Sequence, residues 1–390
     1  MSIVLKTLDK KTNTGPTYLD CNATTPMEPE VQRVIIQFME EEFGNAGSRT
    51  HEYGNRAKVA VQRARDEVAR LVSCEREEVL FTSGATESNN LALLGLKTYG
   101  EKTGRKHLVT TAIEHKAVLE PLEFLATQGF ELTLVRPGAD GVIDPQQLRA
   151  AVRSDTLLVS VMHVNNETGV VQPLNEIALA LGQHEAFFHV DAAQGFGKRL
   201  PDLTNRRIDL ISISGHKIYG PKGVGALIAR RRGYERLPLT PLAYGGGQER
   251  GLRPGTLPVP LIVGLGTAAA LARRDHLDRE TRVREIRDEA LRALSAVGGI
   301  PNGSPERVLP STLNISFPGL DSEALMLALK GEVAISNGSA CTSQSYTPSH
   351  VLVAMGLPAG RVSSALRFSW CHLTRDVDWE AVGRKIAALA

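Results

Sequence analysis

Short apolar runs alternate with longer stretches of helical periodicity between about residues 55 and 230. The runs are rich in Val, Ile, Leu and Phe and lack polar alternation, which is typical of strands covered on both faces. Helical periodicity is clear over 56–72, where Val59, Arg63 and Val68 track one helix. Strands that alternate with helices predict an α/β fold with a largely parallel sheet. The seven predicted strands are 79–82, 107–111, 131–135, 157–163, 187–190, 208–213 and 224–229.

A stretch dense in Gly and Pro, 245–260, interrupts this pattern and cannot form a regular element. We place the end of a large α/β domain there and expect that domain to span 16–260. One long charged helix is predicted over 261–296. The remaining residues predict a smaller α+β domain, so the second domain spans 261–390, with the segment 1–15 packed on it.

The charge balance argues against a nucleic-acid or membrane-surface role. The 390 residues include 45 Lys and Arg against 43 Asp and Glu, a formal net charge of +2. We interpret the cluster Arg230, Arg231 and Arg232 as a solvated face. No apolar run approaches the roughly 20 residues needed to span a bilayer, and the N-terminus has no apolar signal core. We therefore expect a cytoplasmic protein without membrane or direct nucleic-acid binding.

Four cysteines, Cys21, Cys74, Cys341 and Cys371, show neither a CxxC pair nor metal-ligand spacing. So few cysteines in a long chain indicate a reducing compartment and free thiols, and we expect no metal site. Three of them lie in ordinary apolar or helix-end contexts and are interpreted as packed thiols. Cys341 differs, because small residues surround it over 336–343. That composition predicts a loop that presents a nucleophilic thiolate.

Two charged residues follow predicted strands and suit an aldehyde cofactor. Lys217 comes after a strand that ends in ISIS, and burial there would free its amine to form a Schiff base. Asp191, 26 residues earlier, also ends a strand. It can pair with the protonated pyridine nitrogen of pyridoxal 5′-phosphate (PLP). A surface lysine and a helix N-cap aspartate are the alternatives that these residues alone leave open.

The segment 83–90, SGATESNN, follows the first predicted strand and opens a helix. A glycine turn at a helix N-terminus offers backbone N–H groups to a phosphate, and Thr86 adds a hydroxyl. A plain capping box around Thr86 and Asn89 is the alternative. The absence of GxGxxG after the first strand disfavours a dinucleotide site.

Three more polar residues are candidates for the same site. His115 and Asn166 follow strands, where open α/β sheets bind their ligands. An imidazole there can stack on a cofactor and pass protons, or serve only as a structural hydrogen bonder. Arg367, in the strand-like ALRFS, can clamp a substrate carboxylate through two hydrogen bonds or form a structural salt bridge.

Together these motifs resemble the cysteine desulfurases of the NifS/IscS type, which belong to the fold-type I PLP-dependent enzymes. The resemblance covers nearly the whole chain, from Tyr18 to Ser369. It implies conversion of L-cysteine to L-alanine, with a persulfide left on Cys341 for transfer to an acceptor protein. The motifs, in order, are SGATES, EHKAV, HVNNETG, HVDAAQ, SGHKIYGPKG, GGGQERGLRPGT, NGSACTS and ALRFS.

The resemblance also implies a role for each matching residue. Lys217 would carry PLP and later move the substrate α-proton, while His115 would stack over the ring and shuttle protons. Asp191 would pair with the pyridine nitrogen and Gln194 with the ring oxygen. Asn166 would help to orient the substrate. The remaining implied ligands are Arg367 for the substrate carboxylate and Ala85, Thr86, Ser214 and His216 for the phosphate, with Thr256 supplied by the neighbouring subunit of a homodimer.

The sulfur acceptor stays open between iron–sulfur cluster assembly, tRNA modification and DNA modification. The loop around Cys341 resembles the longer version of the NifS/IscS group, which can carry sulfur out to an acceptor. Housekeeping members extend past the equivalent of Ala390 with a tail used by the iron–sulfur scaffold protein, so the resemblance alone does not imply that partner here. The segment 44–54 is similar to that of desulfurases that feed DNA phosphorothioation systems.

Two other functions remain compatible with these residues. A selenocysteine lyase, or another fold-type I lyase or aminotransferase, would share Lys217 and Asp191 without needing Cys341. A non-catalytic interaction scaffold would keep the fold but bind no PLP.

Overall fold

The computed structural model describes residues 15–337 and 348–389. The strands are β1 (Thr17–Tyr18), β2 (Val79–Thr82), β3 (His107–Thr111), β4 (Glu131–Val135), β5 (Thr156–Met162), β6 (Phe187–Asp191), β7 (Leu210–Ser214), β8 (Gly225–Ala229), β9 (Ile300–Pro301), β10 (Thr312–Ser316), β11 (Val333–Ala334) and β12 (Ala365–Ser369). The helices are α1 (Pro29–Glu40), α2 (Glu52–Val72), α3 (Ala85–Leu94), α4 (Lys97–Thr103), α5 (Lys116–Thr127), α6 (Pro145–Ala151), α7 (Leu174–Leu181), α8 (Val259–Arg274), α9 (His276–Ser295), α10 (Ser322–Leu329), α11 (His350–Ala354), α12 (Ala359–Ser363) and α13 (Trp379–Ala387).

A seven-stranded sheet in the order β2-β8-β7-β6-β5-β3-β4 forms the centre of the fold. Neighbouring strands are parallel except at β8, which runs antiparallel to both β2 and β7. All seven predicted strands are present, and the predicted α/β fold with a mainly parallel sheet is confirmed. The expectation of full coverage is wrong for β4, because this edge strand has only Val135 buried.

Each face of the sheet packs on its own helical layer, which explains the lack of polar alternation along the strands. Phe81 of β2 joins a large apolar cluster that includes Val61 of α2 and Leu265 of α8. The preceding residue, Leu80, points to the opposite face and joins a cluster with Leu122 of α5. Successive side chains along a strand alternate between faces, so both must be apolar here.

The single helix predicted over 261–296 is wrong, because α8 ends and α9 begins on either side of Asp275. The apolar residues of α8, such as Ile262, pack in the cluster beneath the large sheet. Those of α9, such as Ile286, pack in a separate cluster. The two helices therefore serve different cores. The domain boundary at residue 260 stays a prediction, and this packing leads us to propose a position near Asp275 instead.

A second, antiparallel sheet in the order β12-β10-β9 lies under α9, α10 and α13. Its core includes Phe368 and Trp370. The N-terminal strand β1 pairs in parallel with β11, and Asp20 forms an isolated bridge with Ser369. Residues 1–14, expected to pack on this domain, lie outside the described residues.

One surface expectation is corrected by the packing. Arg230 is buried, and its guanidinium donates hydrogen bonds to the carbonyls of Val72, Leu203, Asn205 and Ile208. It satisfies backbone acceptors rather than forming part of a solvated face. The helix predicted over 56–72 is present as part of α2, and Val59 is 42% exposed on it. Within the described ranges, no helix has both the length and the apolar character needed to cross a bilayer.

Candidate active site

Four neighbouring parallel strands end at one edge of the sheet, and each delivers a polar residue there. Asp191 is the last residue of β6 and Ser214 the last of β7. His115 and Asn166 lie in the loops that follow β3 and β5. Because the strands are neighbours in the order β7-β6-β5-β3, all four residues line one cavity of about 550 Å³. Ligand sites of open α/β sheets lie at this edge.

The cavity brings together ten of the twelve residues singled out from the sequence. Thr256 is exposed and does not belong to the lining residues of the described chain. Cys341 lies outside the described residues. The ten that line the cavity are Ala85, Thr86, His115, Asn166, Asp191, Gln194, Ser214, His216, Lys217 and Arg367.

Lys217 ends a short 3-10 turn directly after β7. Its Nζ donates hydrogen bonds to the carbonyl oxygen of Asn22 and, at 2.8 Å, to that of Ala23. Both acceptors also line the cavity, so backbone carbonyls from a segment 194 and 195 residues earlier in the chain hold the amine at the cavity. These acceptors could not be identified from the sequence, because main-chain groups leave no residue-type signal.

Asp191 is 6% exposed, and each of its carboxylate oxygens accepts one hydrogen bond. Asn89 Nδ2 donates to Oδ2 at 2.7 Å, and the backbone N–H of Ala193 donates to Oδ1 at 2.9 Å. The capping box considered as the alternative around Thr86 and Asn89 is wrong, because α3 has Gly84 as its N-cap and Asn89 binds Asp191. Asn89 is a site residue whose role the sequence analysis missed.

The N-terminus of α3 forms one wall of the cavity and suits an anionic group. Its N-cap, Gly84, has a φ of 156°, where a side chain would be strained. The first N–H groups of a helix have no intrahelical acceptor, so those around Ala85 and Thr86 can bind a phosphate. Ser214 and His216 line the same cavity from the neighbouring β7 end.

The two cavity histidines are held in their neutral forms. His115 caps α5, and its Nδ1 accepts a hydrogen bond from the backbone N–H of Ala117 at 3.1 Å. The neutral ring therefore carries its proton on Nε2. Burial lowers the pKa of His115. Burial and the neighbouring Lys217 lower the pKa of His216 to about 4.

A buried carboxyl lies behind the cavity wall at Glu114. Its Oε1 accepts hydrogen bonds from Thr111 Oγ1 at 2.8 Å and from the backbone N–H of Met162 at 2.7 Å. Burial raises the pKa of Glu114 to about 8 and so disfavours the ionised form of this carboxyl. Asp191 is therefore the nearby carboxyl available to face a cation in the cavity.

Arg367 lies on β12 and reaches across from the smaller sheet. Its Nη2 binds Asp20 Oδ1 at 2.6 Å, and its Nη1 donates to the carbonyl oxygen of Asn166 at 3.0 Å. The structural salt bridge considered as an alternative is thus present. The same guanidinium lines the cavity, so these two contacts also hold it in the cavity wall.

The thiols interpreted as packed are Cys21, Cys74 and Cys371. Cys21 and Cys371 are buried, Cys74 is partly buried, and each is a free thiol. Among residues 15–337 and 348–389, no group of three or more His, Cys, Asp or Glu side chains is arranged to hold a metal.

Comparison with known proteins identifies the family of this chain. Residues 17–382 match the family model described as aminotransferase class-V. The chain is 47% identical over 375 residues to the cysteine desulfurase IscS of Anaeromyxobacter sp. (strain Fw109-5), covering 95% of this chain and 91% of that protein. The crystal structure of DndA from Streptomyces lividans matches with a TM-score of 0.79 and 53% identity, covering 91% of this chain and 99% of that one. SspA in complex with cysteine matches with a TM-score of 0.80 and 37% identity, covering 92% and 100% of the two chains. The chain therefore belongs to the cysteine desulfurases of the class-V aminotransferase family.

Proposed function

We propose that this protein takes sulfur from L-cysteine, releases L-alanine and holds the sulfur as a persulfide on Cys341. The observation that carries the proposal is the single cavity lined by Lys217, Asp191 and Arg367. It combines an amine, a carboxylate and a guanidinium, which are the groups that an aldehyde cofactor and an amino-acid substrate need.

The chemistry of the cavity walls fits PLP as the cofactor. About 550 Å³ lies within the range of small-molecule sites. The start of α3 offers N–H groups to a phosphate, and Asp191 offers a carboxylate to a protonated ring nitrogen. Gln194 Oε1 is buried and has no hydrogen-bond partner among the described residues, so it can serve a polar ligand. When bound, PLP supplies an electron sink for negative charge at the substrate α-carbon.

Residues of the chain itself bind and orient the substrate and transfer its protons. The fork of Arg367 holds the substrate carboxylate, and Asn166 helps to orient the substrate. Lys217 Nζ, as the free amine, takes the α-proton and returns it. His115 presents an Nε2–H donor to the cavity, because its Nδ1 is occupied by the cap of α5.

Sulfur transfer is assigned to the Cys341 thiolate. It attacks the substrate sulfur, so that an S–S bond forms while the bond between sulfur and the substrate β-carbon breaks. The electron pair of the broken bond stays with the carbon, which takes up a proton and becomes the methyl group of alanine. The excess sulfur remains on the chain until an acceptor thiol attacks it.

The described residues that flank 338–347 support this role for Cys341. On one side, Ser336 pairs with Arg367 through the backbone, with an N···O distance of 2.6 Å. On the other side, His350 Nε2 bonds the carbonyl oxygen of Glu114 at 3.0 Å. Cys341 follows Asn337 by four residues, a reach of at most about 14 Å. Both flanks therefore begin beside the cavity.

The test compares Cys341→Ala with Cys74→Ala as the matched control. We expect Cys341→Ala to bind PLP normally but to form no persulfide, whereas Cys74→Ala keeps the parent activity. Persulfide is measured by alkylation and mass spectrometry, and alanine by chromatography. Release of alanine and sulfide by Cys341→Ala at the parent rate would contradict the role.

Borohydride reduction should fix PLP to Lys217, and a colourless protein that binds no PLP would favour the scaffold alternative.

We further propose a cytoplasmic homodimer in which Thr256 of a second copy completes the phosphate site. This is supported by the exposure of Thr256 on the segment 245–260.

The sulfur acceptor is a protein that serves iron–sulfur cluster assembly, tRNA modification or DNA modification. Trapping the Cys341 persulfide with its acceptor in a pull-down would distinguish the three, and alanine formation from cysteine against selenocysteine would test the lyase alternative.

A further inference from the structure

We propose that Asn89 is a positioning residue that fixes the orientation of Asp191 toward the bound cofactor. The inference rests on the proposed function, because it gives Asp191 the task of pairing with the PLP ring nitrogen. Asn89 and Asp191 are 102 positions apart in the sequence and meet at the cavity wall.

The carboxylate of Asp191 is held by two donors, one on each oxygen. Asn89 Nδ2 binds Oδ2 at 2.7 Å, and the Ala193 N–H binds Oδ1 at 2.9 Å. Rotation of the carboxylate would break at least one of these hydrogen bonds. Both partners donate, so the pair matches an ionised carboxylate rather than its protonated form. Asp191 is thereby held as an oriented anion at the edge of the cavity.

The environment of Asn89 selects one orientation of its amide. The side chain is fully buried, and turning the amide over would place Oδ1 against the Asp191 oxygen. Two acceptors cannot bond each other, so the amide presents its NH₂ to Asp191. Oδ1 is buried and has no partner among the residues that the structure describes. Burying such a half-satisfied amide is costly, and its bond to Asp191 is the compensating contact.

The position of Asn89 on α3 connects two parts of the site. Asn89 follows Ala85 by four residues, so it lies about 6 Å further along the same helix axis. The first turn of α3 faces the proposed phosphate site, and the next turn holds Asp191 through Asn89. One rigid helix therefore sets the spacing between the phosphate-binding N–H groups and the ring-nitrogen partner.

The experiment is a double-mutant cycle read by PLP binding to the cofactor-free full chain. The four proteins are the parent, Asn89→Leu, Asp191→Asn and the double variant, and the readout is the PLP dissociation constant from an absorbance titration. A hydrogen bond to a charged group corresponds to about a tenfold to hundredfold change in an equilibrium constant. We expect Asn89→Leu to weaken PLP binding by that factor in the parent. In the Asp191→Asn background we expect less than about a twofold further change, because the carboxylate to be oriented is gone.

Asn90→Leu is the matched control, since Asn90 is the next residue on α3 and its amide donates to the backbone carbonyl of Thr86 instead of to Asp191. We expect it to leave PLP binding unchanged. Equal weakening by Asn89→Leu in both backgrounds would overturn the proposal, as would no weakening in the parent. If Asn89→Leu does not fold, as judged by thermal unfolding of the cofactor-free protein, Asn89→Ser carries the same cycle. Failure of the parent to bind PLP would instead refute the proposed function.

Discussion

Replacing Glu249 with Gln tests whether a buried ion pair holds the segment 245–260 against the edge of the large sheet. The side chains of Glu249 and Arg65 are 1% and 6% exposed, and two hydrogen bonds of 2.6 and 2.8 Å join them. Glu249 Oε2 also accepts from the backbone N–H of Phe81 at 2.8 Å. It therefore satisfies a donor on β2, an edge strand that has no further strand beyond it in the described sheet.

The expected loss follows from these contacts. Removing one charge of a buried pair costs about 3–5 kcal/mol, because the other charge stays buried without compensation. Gln keeps the shape and one acceptor for Phe81, and Arg65 keeps its bond to the carbonyl of Val79 at 2.5 Å. We therefore expect Glu249→Gln to lower the free energy of unfolding by about 3 kcal/mol, the lower end of this range. Glu249 and Arg250 also have left-handed backbones, with φ of 46° and 60°, so the weakened segment has strain to release on detaching.

The assay is equilibrium urea unfolding at one protein concentration, with hydrogen exchange of the Phe81 amide as a local readout. Glu185→Gln is the control, because Glu185 pairs with Arg105 at 3.4 Å while its side chain is 85% exposed. An exposed pair contributes at most about 1 kcal/mol. If Glu249→Gln costs no more than Glu185→Gln, and the Phe81 amide exchanges as in the parent, the reasoning is refuted.

Two further predictions concern His189, which lies on β6, and Arg367, which lies on β12. His189 is fully buried between the hydroxyls of Ser160 and Ser212, and burial lowers its pKa to about 3. Its folded pKa lies below the unfolded value of about 6.5, so the unfolded chain binds the proton first and stability is lost as pH falls from about 6.5 toward 3. The free energy of unfolding is measured with urea from pH 7.5 to 5 for the parent and for His189→Gln. Below pH 6.5 the variant should lose stability less steeply, by up to about 1.4 kcal/mol per pH unit. Equal pH dependence in the two proteins would contradict the assignment. Arg367→Lys keeps the charge but loses the planar guanidinium, so we expect KM for cysteine to rise at least about tenfold with a smaller change in kcat. An unchanged KM in steady-state alanine formation would exclude the proposed binding of the substrate carboxylate by Arg367.

The central sheet could be predicted because its strands are buried on both faces and read as continuous apolar runs. The same logic located the residues at the strand ends, such as Asp191 and Lys217, since parallel strands end at a common edge. The break at Asp275 was missed, because neither Gly nor Pro marks it. It arises where α8 leaves one apolar cluster and α9 enters another.

Contacts between distant residues could not be predicted from spacing. Asp20 and Arg367 are 347 positions apart, and local periodicity carries no information about such a pair. A buried arginine such as Arg230 also looks like a surface arginine in the sequence. What distinguishes it is a set of backbone carbonyls from four other positions, which only the folded chain brings together.

The pairing of β1 and Asp20 with elements that follow much later in the chain has a consequence for biosynthesis. β1 needs β11 as its neighbour, and Asp20 needs Ser369 and Arg367. A ribosome adds about 5–20 residues per second, so the start of the chain waits roughly 20 to 70 s for these partners to emerge. A nascent chain interrupted before β12 lacks the guanidinium that completes the pocket. Assembly of a working pocket therefore requires that translation has passed β12.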